Sequence, residues 1–157
     1  MSTEKRQKLQ RLTLALIAHD SKKEDMASLV KAHRKELAEI DLVATKNTGE
    51  MIQSKTGLTV TLLQSGTHGG DQQVGALVSN GDVRAVIFLR DPLTAQPHEP
   101  DITALMRVCD VHDVPLATNL TTGEAVLHLM FEHPEALSRH LAAQYLEDMA
   151  AVHKGKE

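Results

Sequence analysis

Five apolar runs without polar alternation recur along the chain, and each ends in a polar or glycine-rich loop that opens into a segment with helical spacing. A strand buried on both faces reads as a continuous apolar run, and a helical crossover is what joins it to a parallel neighbour. The runs cover residues 12–18, 41–45, 58–63, 85–89 and 114–117. Between them the spacing predicts helices over 22–36, from near Thr48 to a stop at Gly57, and over 71–79, 101–111 and 122–130. A last helix is expected over 136–151, followed by a frayed HKGKE end. The pattern specifies an α/β fold: a three-layer, doubly wound, mainly parallel five-stranded sheet in a single domain over residues 1–157, its core at about 10–150.

A length of 157 residues fits one domain, and 41% apolar content can fill one core. With 17 Lys+Arg against 21 Asp+Glu, the net charge of −4 offers no broad basic field for nucleic acid or an anionic membrane. One Tyr, two Phe and no Trp argue against a base-stacking platform. Cys109 stands alone, so neither an internal disulfide nor a cysteine zinc cluster is expected. No apolar run reaches the roughly 20 residues of a membrane span, and the polar opening MSTEKRQKLQR lacks the apolar middle of a signal peptide. The expectation is a cytoplasmic protein with no membrane partner.

In a doubly wound sheet, ligands bind beyond the carboxyl ends of the strands. The residues after the first run are His19 and Asp20, and those after the second are Thr45, Lys46, Asn47 and Thr48. Ser65, Gly66, Gly69, Gly70 and Asp71 follow the third, Asp91, His98 and Asp101 the fourth, and Thr118 and Asn119 the fifth. Thr45, Thr48, Ser65 and Gly66, with Lys23, supply the hydroxyls, amides and ammonium of a small phosphate site; as plain caps and turns they would need no ligand. Neither a Walker loop nor a GxGxxG fingerprint is present.

Asp71 falls at a helix start, where dipole and free amides favour a carboxylate, so it reads either as a general base or as a cap. His98, in a proline-rich loop between Asp91 and Asp101, has neighbours suited to proton transfer or to polarising an oxygen. His19, His98 and these aspartates lack the usual short metal-ligand spacings, and HEPD is not HExxH, so no metal is expected. His68 is expected on the loop surface, His33, His128, His133, His140 and His153 as solvated helix residues, and Cys109 as a buried apolar one.

At these positions the sequence resembles the methylglyoxal synthase family. The likeness runs through IAHDSKK, ATKNTG, SGTHGGDQQVGALV, DPLTAQPHEPD and VPLATNLTT, and so through nearly the whole domain. The resemblance implies a cofactor-free lyase that converts dihydroxyacetone phosphate into methylglyoxal and inorganic phosphate, built as a homohexamer and inhibited by phosphate. It implies that Asp71 removes the proton, that His98 hydrogen-bonds the developing oxyanion with Asp101 orienting it, and that His19 is a further polar contact. Asp20 and Asp91 would shape the site's field, and Lys23, Thr45, Asn47, Thr48, Ser65 and Gly66 would hold the phosphate.

The sequence departs from the family pattern in two places. Lys46 and Asn47 replace a Gly-Thr step, adding a cation and exchanging a hydroxyl for an amide, and Ala150 and Ala151 stand where relatives carry an Arg that reaches a neighbouring subunit. The nearest basic residues there are Arg139, Lys154 and Lys156. A competing class is a ligand-binding regulatory module of the same fold, which would keep the cradle but have no need of Asp71, His98 and Asp101 together. A metal-dependent phosphohydrolase is a third, and the fold alone separates none of them.

Overall fold

The segment TLALIA forms the central strand because each of its side chains after Thr13 is buried on one face or the other. The structure, a computed structural model, describes residues 2–4, 12–137 and 142–155. Strands β1 (Thr13–Ala18), β2 (Asp41–Ala44), β3 (Thr61–Leu62), β4 (Ala85–Leu89) and β5 (Leu116–Ala117) form one parallel sheet in the order β3-β2-β1-β4-β5. The helices are α1 (Lys23–Ala32), α2 (Arg34–Leu37), α3 (Lys46–Thr56), α4 (Gly70–Asn80), α5 (Glu99–Val111), α6 (Leu120–Glu132) and α7 (Ala142–Lys154).

Alternate residues of β1 and β4 serve two cores. Leu14, Leu16, Ala18, Ile87 and Leu89 pack with Met26, Leu29 and Val30 of α1, Ile52 of α3, and Leu127 and Met130 of α6. On the other face Ala15, Ile17, Val86 and Phe88 meet Val74 and Val78 of α4 and Ile102, Leu105 and Cys109 of α5. At about 1.5–3 kcal/mol for each large apolar side chain buried, these two faces hold the three layers together. Burial pushes the Cys109 thiol up to about 11, so it packs as a small apolar group and is not a nucleophile near neutrality.

The chain runs outward from β1 to β2 and β3, then returns to place β4 on the other side of β1. The switch point therefore lies between the carboxyl ends of β1 and β4, where two diverging loops leave a crevice. His19 follows β1 and donates its backbone N–H to the Leu89 carbonyl at the end of β4, 3.1 Å away.

Several element boundaries differ from the sequence expectation. The predicted 22–36 helix breaks at His33 (φ −112°, ψ 22°), whose ring is held 2.7 Å from Glu124 on α6, so it is not the solvated side chain expected. The third and fifth runs shorten to two-residue strands because they lie at the sheet edges, where Thr61 and Leu62 are exposed and Pro115 lacks an N–H. The α3 helix starts at Lys46, which makes Thr45 its cap and puts Thr48 inside its first turn. Asn119 is spent as the cap of α6, its side chain accepting from the Thr122 amide at 3.0 Å. The last helix continues through His153 and Lys154, basic residues suited to a helix C-terminus, where fraying was expected. Arg139, His140 and Lys156 lie outside the described residues.

Candidate functional site

Loops from β1, β2, β3 and β4 close around a cavity of about 240 Å³. Its lining includes His19, Asp20 and Lys23 after β1, Thr45 and Asn47 after β2, Ser65, Gly66 and Asp71 after β3, and His98 after β4. Residues spread over eighty positions of sequence thus meet at one end of the sheet, as the topology requires. Thr48, Asp91 and Asp101, also expected in the site, are not among the lining residues. A larger hollow of about 950 Å³ adjoins it, and Gln96 lines both. Unpartnered polar groups gather at the smaller one. Of the five buried side-chain polar atoms without a hydrogen-bond partner among the described residues, four are His19 Nε2, both carboxylate oxygens of Asp71 and His98 Nδ1. Buried polar groups are ordinarily satisfied, so orphans gathered at one cavity mark where a ligand's polar atoms belong.

Asp71 sits in the first turn of α4, after Gly69 in the left-handed conformation (φ 94°) that a side chain rarely adopts. Its side chain is fully buried. The helix start was expected to favour the ionised form, but the balance runs the other way. Burial pushes the carboxyl above its ordinary range; positive charge on His98 would oppose this and Asp101 adds to it. Asp71 Oδ2 lies 3.4 Å from His98 Nε2.

His19 is buried, edge-on to Phe88 at 5.1 Å and to His98 at 5.7 Å between centroids. Its Nδ1 accepts the Asp91 backbone N–H at 2.8 Å, which puts the proton of the neutral ring on Nε2. Burial lowers its pKa, with His98 and Arg90 acting in the same direction against Asp91 and Glu99. Burial thus favours the neutral form of a ring that lines the cavity and whose Nε2 is buried without a hydrogen-bond partner.

The remaining carboxylates have partners. Asp91 acts on His19 through its backbone N–H, while its carboxylate accepts from Ser21 Oγ and the Leu93 amide, both at 2.9 Å. Those bonds and one from Thr94 hold the Asp91 carboxyl below its ordinary range. Asp101 Oδ1 accepts from Gln72 Nε2 at 2.7 Å, and its backbone N–H reaches the His98 carbonyl at 2.9 Å; this backbone bond is its recorded link to His98. Asp20 is almost fully exposed, 3.6 Å from Lys23 Nζ.

On the cradle side, Lys23 Nζ donates to the Ala18 carbonyl at 2.7 Å, and burial lowers its pKa against the pull of Asp20. Lys46 is exposed and outside the cavity lining, whereas Asn47 lines it. Thr48 is buried, its hydroxyl accepting from the Ala18 amide at 3.2 Å and from Lys23 Nζ at 3.4 Å. Its hydroxyl ties α3 to the end of β1 and lies 3.4 Å from Lys23 Nζ and from Thr45 Oγ1, two residues of the cavity lining. Thr48→Ala is accordingly expected to lower stability by about 1–3 kcal/mol, the cost of orphaning a buried amide. Denaturant unfolding of this variant and of Thr48→Ser, which should restore most of the loss, measures it.

Four side chains given no role from sequence contribute here. Gln96 and Thr67 line the cavity, Gln72 holds Asp101, and Gln73 Oε1 accepts the Gln64 amide at 2.8 Å, steadying the loop ahead of Ser65. Gln72 and Gln73 lie within the GGDQQVGAL stretch, but only the fold shows that they bond to neighbouring loops.

Comparison with known proteins identifies the family. A family model described as "MGS-like domain" matches residues 25–118. Methylglyoxal synthase from Carboxydothermus hydrogenoformans is 57% identical over 76% of this chain and 98% of that protein. Methylglyoxal synthase from Thermus thermophilus is 58% identical over 73% of this chain and 90% of its own length. The crystal structure of methylglyoxal synthase from Elizabethkingia anophelis superposes with a TM-score of 0.71 at 40% identity, covering 75% of this chain and 78% of that one. Identity of this level over nearly the full length of the relatives, on the same fold, assigns the chain to the methylglyoxal synthase family.

Proposed function

We propose that this protein is a methylglyoxal synthase, a carbon–oxygen lyase that turns dihydroxyacetone phosphate into methylglyoxal and inorganic phosphate without a cofactor. The observation that carries the reading is Asp71: a fully buried carboxylate with no hydrogen-bond partner, 3.4 Å from His98, lining a cavity of about 240 Å³. Its raised pKa brings a carboxylate closer to the basicity that abstraction from carbon needs. Family membership supports the substrate class, and the residues around the cavity support the roles assigned to them in each step.

Asp71 takes a proton from the hydroxymethyl carbon, and the electron pair of that C–H bond becomes the double bond of an enediolate. The N–H of neutral His19 and the ring of His98 stabilise the oxygen on which charge gathers. As phosphate leaves with the C–O bonding pair, that double bond shifts to the carbon that bore it, and the hydroxyl on the deprotonated carbon becomes the aldehyde carbonyl, its proton passing to the departing phosphate. The resulting enol takes up a proton on carbon to become methylglyoxal, and atoms balance with no water or oxidant consumed. Reprotonation of the enediolate would give isomerisation instead. Elimination is favoured when the C–O bond stands perpendicular to the enediolate plane, which is the role assigned to Lys23, Thr45, Asn47, Ser65 and Gly66 as they hold the phosphate. Inhibition by inorganic phosphate, a homohexamer and a cytoplasmic location belong to the same reading.

Incubation of purified protein with dihydroxyacetone phosphate and a chelator is expected to yield methylglyoxal and phosphate in equal amounts. Dihydroxyacetone as product would overturn the reading in favour of a phosphohydrolase, and binding without turnover would make the chain a regulatory module. Ser65→Ala, which removes one hydroxyl from a charged ligand, should lower kcat/KM by about tenfold or more. A rise in KM accompanied by a fall in kcat would assign Ser65 to orientation as well as binding.

A further inference from the structure

The 3-10 turn Gly66–His68 carries a histidine to which the lyase reading gives no task. Its ring is folded back over the turn, with Nδ1 2.7 Å from Ser65 Oγ and 3.2 Å from Thr67 Oγ1. The two hydroxyls are 3.4 Å apart, and both residues line the cavity. The His68 backbone N–H also donates to the Ser65 carbonyl at 3.0 Å, which closes the turn between the two residues.

In the neutral tautomer that carries its proton on Nε2, Nδ1 is an acceptor for the two hydroxyls that converge on it. In that tautomer Nδ1 takes the Ser65 O–H across the 2.7 Å contact, and the hydroxyl turns only lone pairs towards the cavity. Lone pairs repel a tetrahedral dianion. Once Nδ1 is protonated the direction reverses: the ring donates to Ser65 Oγ, and the serine proton is released to make a charge-assisted bond to the anion. We propose that His68 is a positioning residue that sets the donor direction of Ser65, so that protonation of its ring tightens phosphate binding in the cavity. The proposal rests on the phosphate reading of Ser65 given above.

The sign follows from linkage. Affinity is greatest where the ring is protonated and falls as pH rises through its titration, and the bound anion in turn favours the protonated ring. The other charged or titratable side chains around the cavity are His19, Asp20, Lys23, Asp71 and His98, and among the described residues none forms an ion pair with His68. They remain in a His68 variant, so the difference between the two proteins isolates this ring.

Sulfate is the probe, because it stays dianionic across about pH 5 to 8, where an imidazole titrates. Binding is measured by calorimetry for the natural protein, His68→Gln, Ser65→Ala and the double variant, with competition against dihydroxyacetone phosphate to place sulfate in the cavity. Across that range the affinity of the natural protein is expected to fall about tenfold further than that of His68→Gln, the worth of one hydrogen bond to a charged group. In the Ser65→Ala background, His68→Gln should leave the pH slope unchanged. Parallel slopes for the natural protein and His68→Gln would overturn the proposal while leaving the phosphate site intact. Sulfate that fails to compete with substrate in the natural protein would overturn the phosphate reading of Ser65, and the role of His68 with it.

Discussion

Asp71→Asn is expected to reduce turnover by about a hundredfold or more while leaving the protein folded, the loss associated with removing a positioned general base. The substitution keeps the shape of a side chain that is fully buried and takes away only its ability to accept a proton. Its effect on stability should run the opposite way. Because burial raises the Asp71 pKa, the folded state holds that proton more tightly than the unfolded chain does. Stability from this group is therefore present at low pH and is lost as pH rises from the ordinary carboxylate value through the raised one. Activity follows the reverse course, since only the ionised carboxylate can act as base. The natural protein should gain kcat/KM over the same span in which Asp71 costs it stability, and Asp71→Asn should show neither change. Steady-state kinetics and denaturant unfolding across that span test both halves. Near-normal turnover by folded Asp71→Asn protein would remove Asp71 from the role of base.

The central strands were legible because burial on both faces leaves an unbroken apolar run: TLALIA and AVIFL emerge as β1 and β4. The edge strands were overread, since an apolar run such as residues 58–63 can bury Leu58 and Val60 and still form a ladder only at Thr61 and Leu62. Residue type and position after each run were enough to nominate His19, Asp71 and His98. They were not enough to say which atoms act. The backbone N–H of Asp91 fixes the tautomer of His19, and nothing in a side-chain pattern encodes that bond. Thr48 has the residue type of a phosphate ligand, yet its depth in the first turn of α3 commits its hydroxyl to β1. For Asp71, sequence shows the helix start that favours charge but not the burial that opposes it, so the direction of its pKa needed the fold.

Gly66→Ala is expected to fold with a loss of only about 1 kcal/mol, the cost of forcing one side chain off its rotamer, and to lose about a hundredfold in turnover. Gly66 has an ordinary backbone conformation, so the argument is one of space alone. A Cβ at this position would stand 2.9 Å from His98 Nε2 and 3.5 Å from Asp71 Oδ1. The atom it crowds is the far end of a side chain, which can swing aside cheaply as far as folding is concerned. The same swing carries the imidazole away from the proposed base and from the oxygen it is to stabilise, and a displacement of about 1 Å is enough for a loss of that size. Gly70 supplies the contrast, because a Cβ there would run into the Gln64 backbone carbonyl and approach Thr45 Cγ2 at 2.9 Å. Backbone cannot step aside, so Gly70→Ala should cost about 3 kcal/mol or prevent folding, as overpacking of a buried position does. Unfolding curves and kcat for the two variants separate the cases: one folded and nearly inactive, the other unstable. A stable Gly66→Ala protein with full turnover would mean that the position of His98 beside Asp71 is not what the reaction depends on.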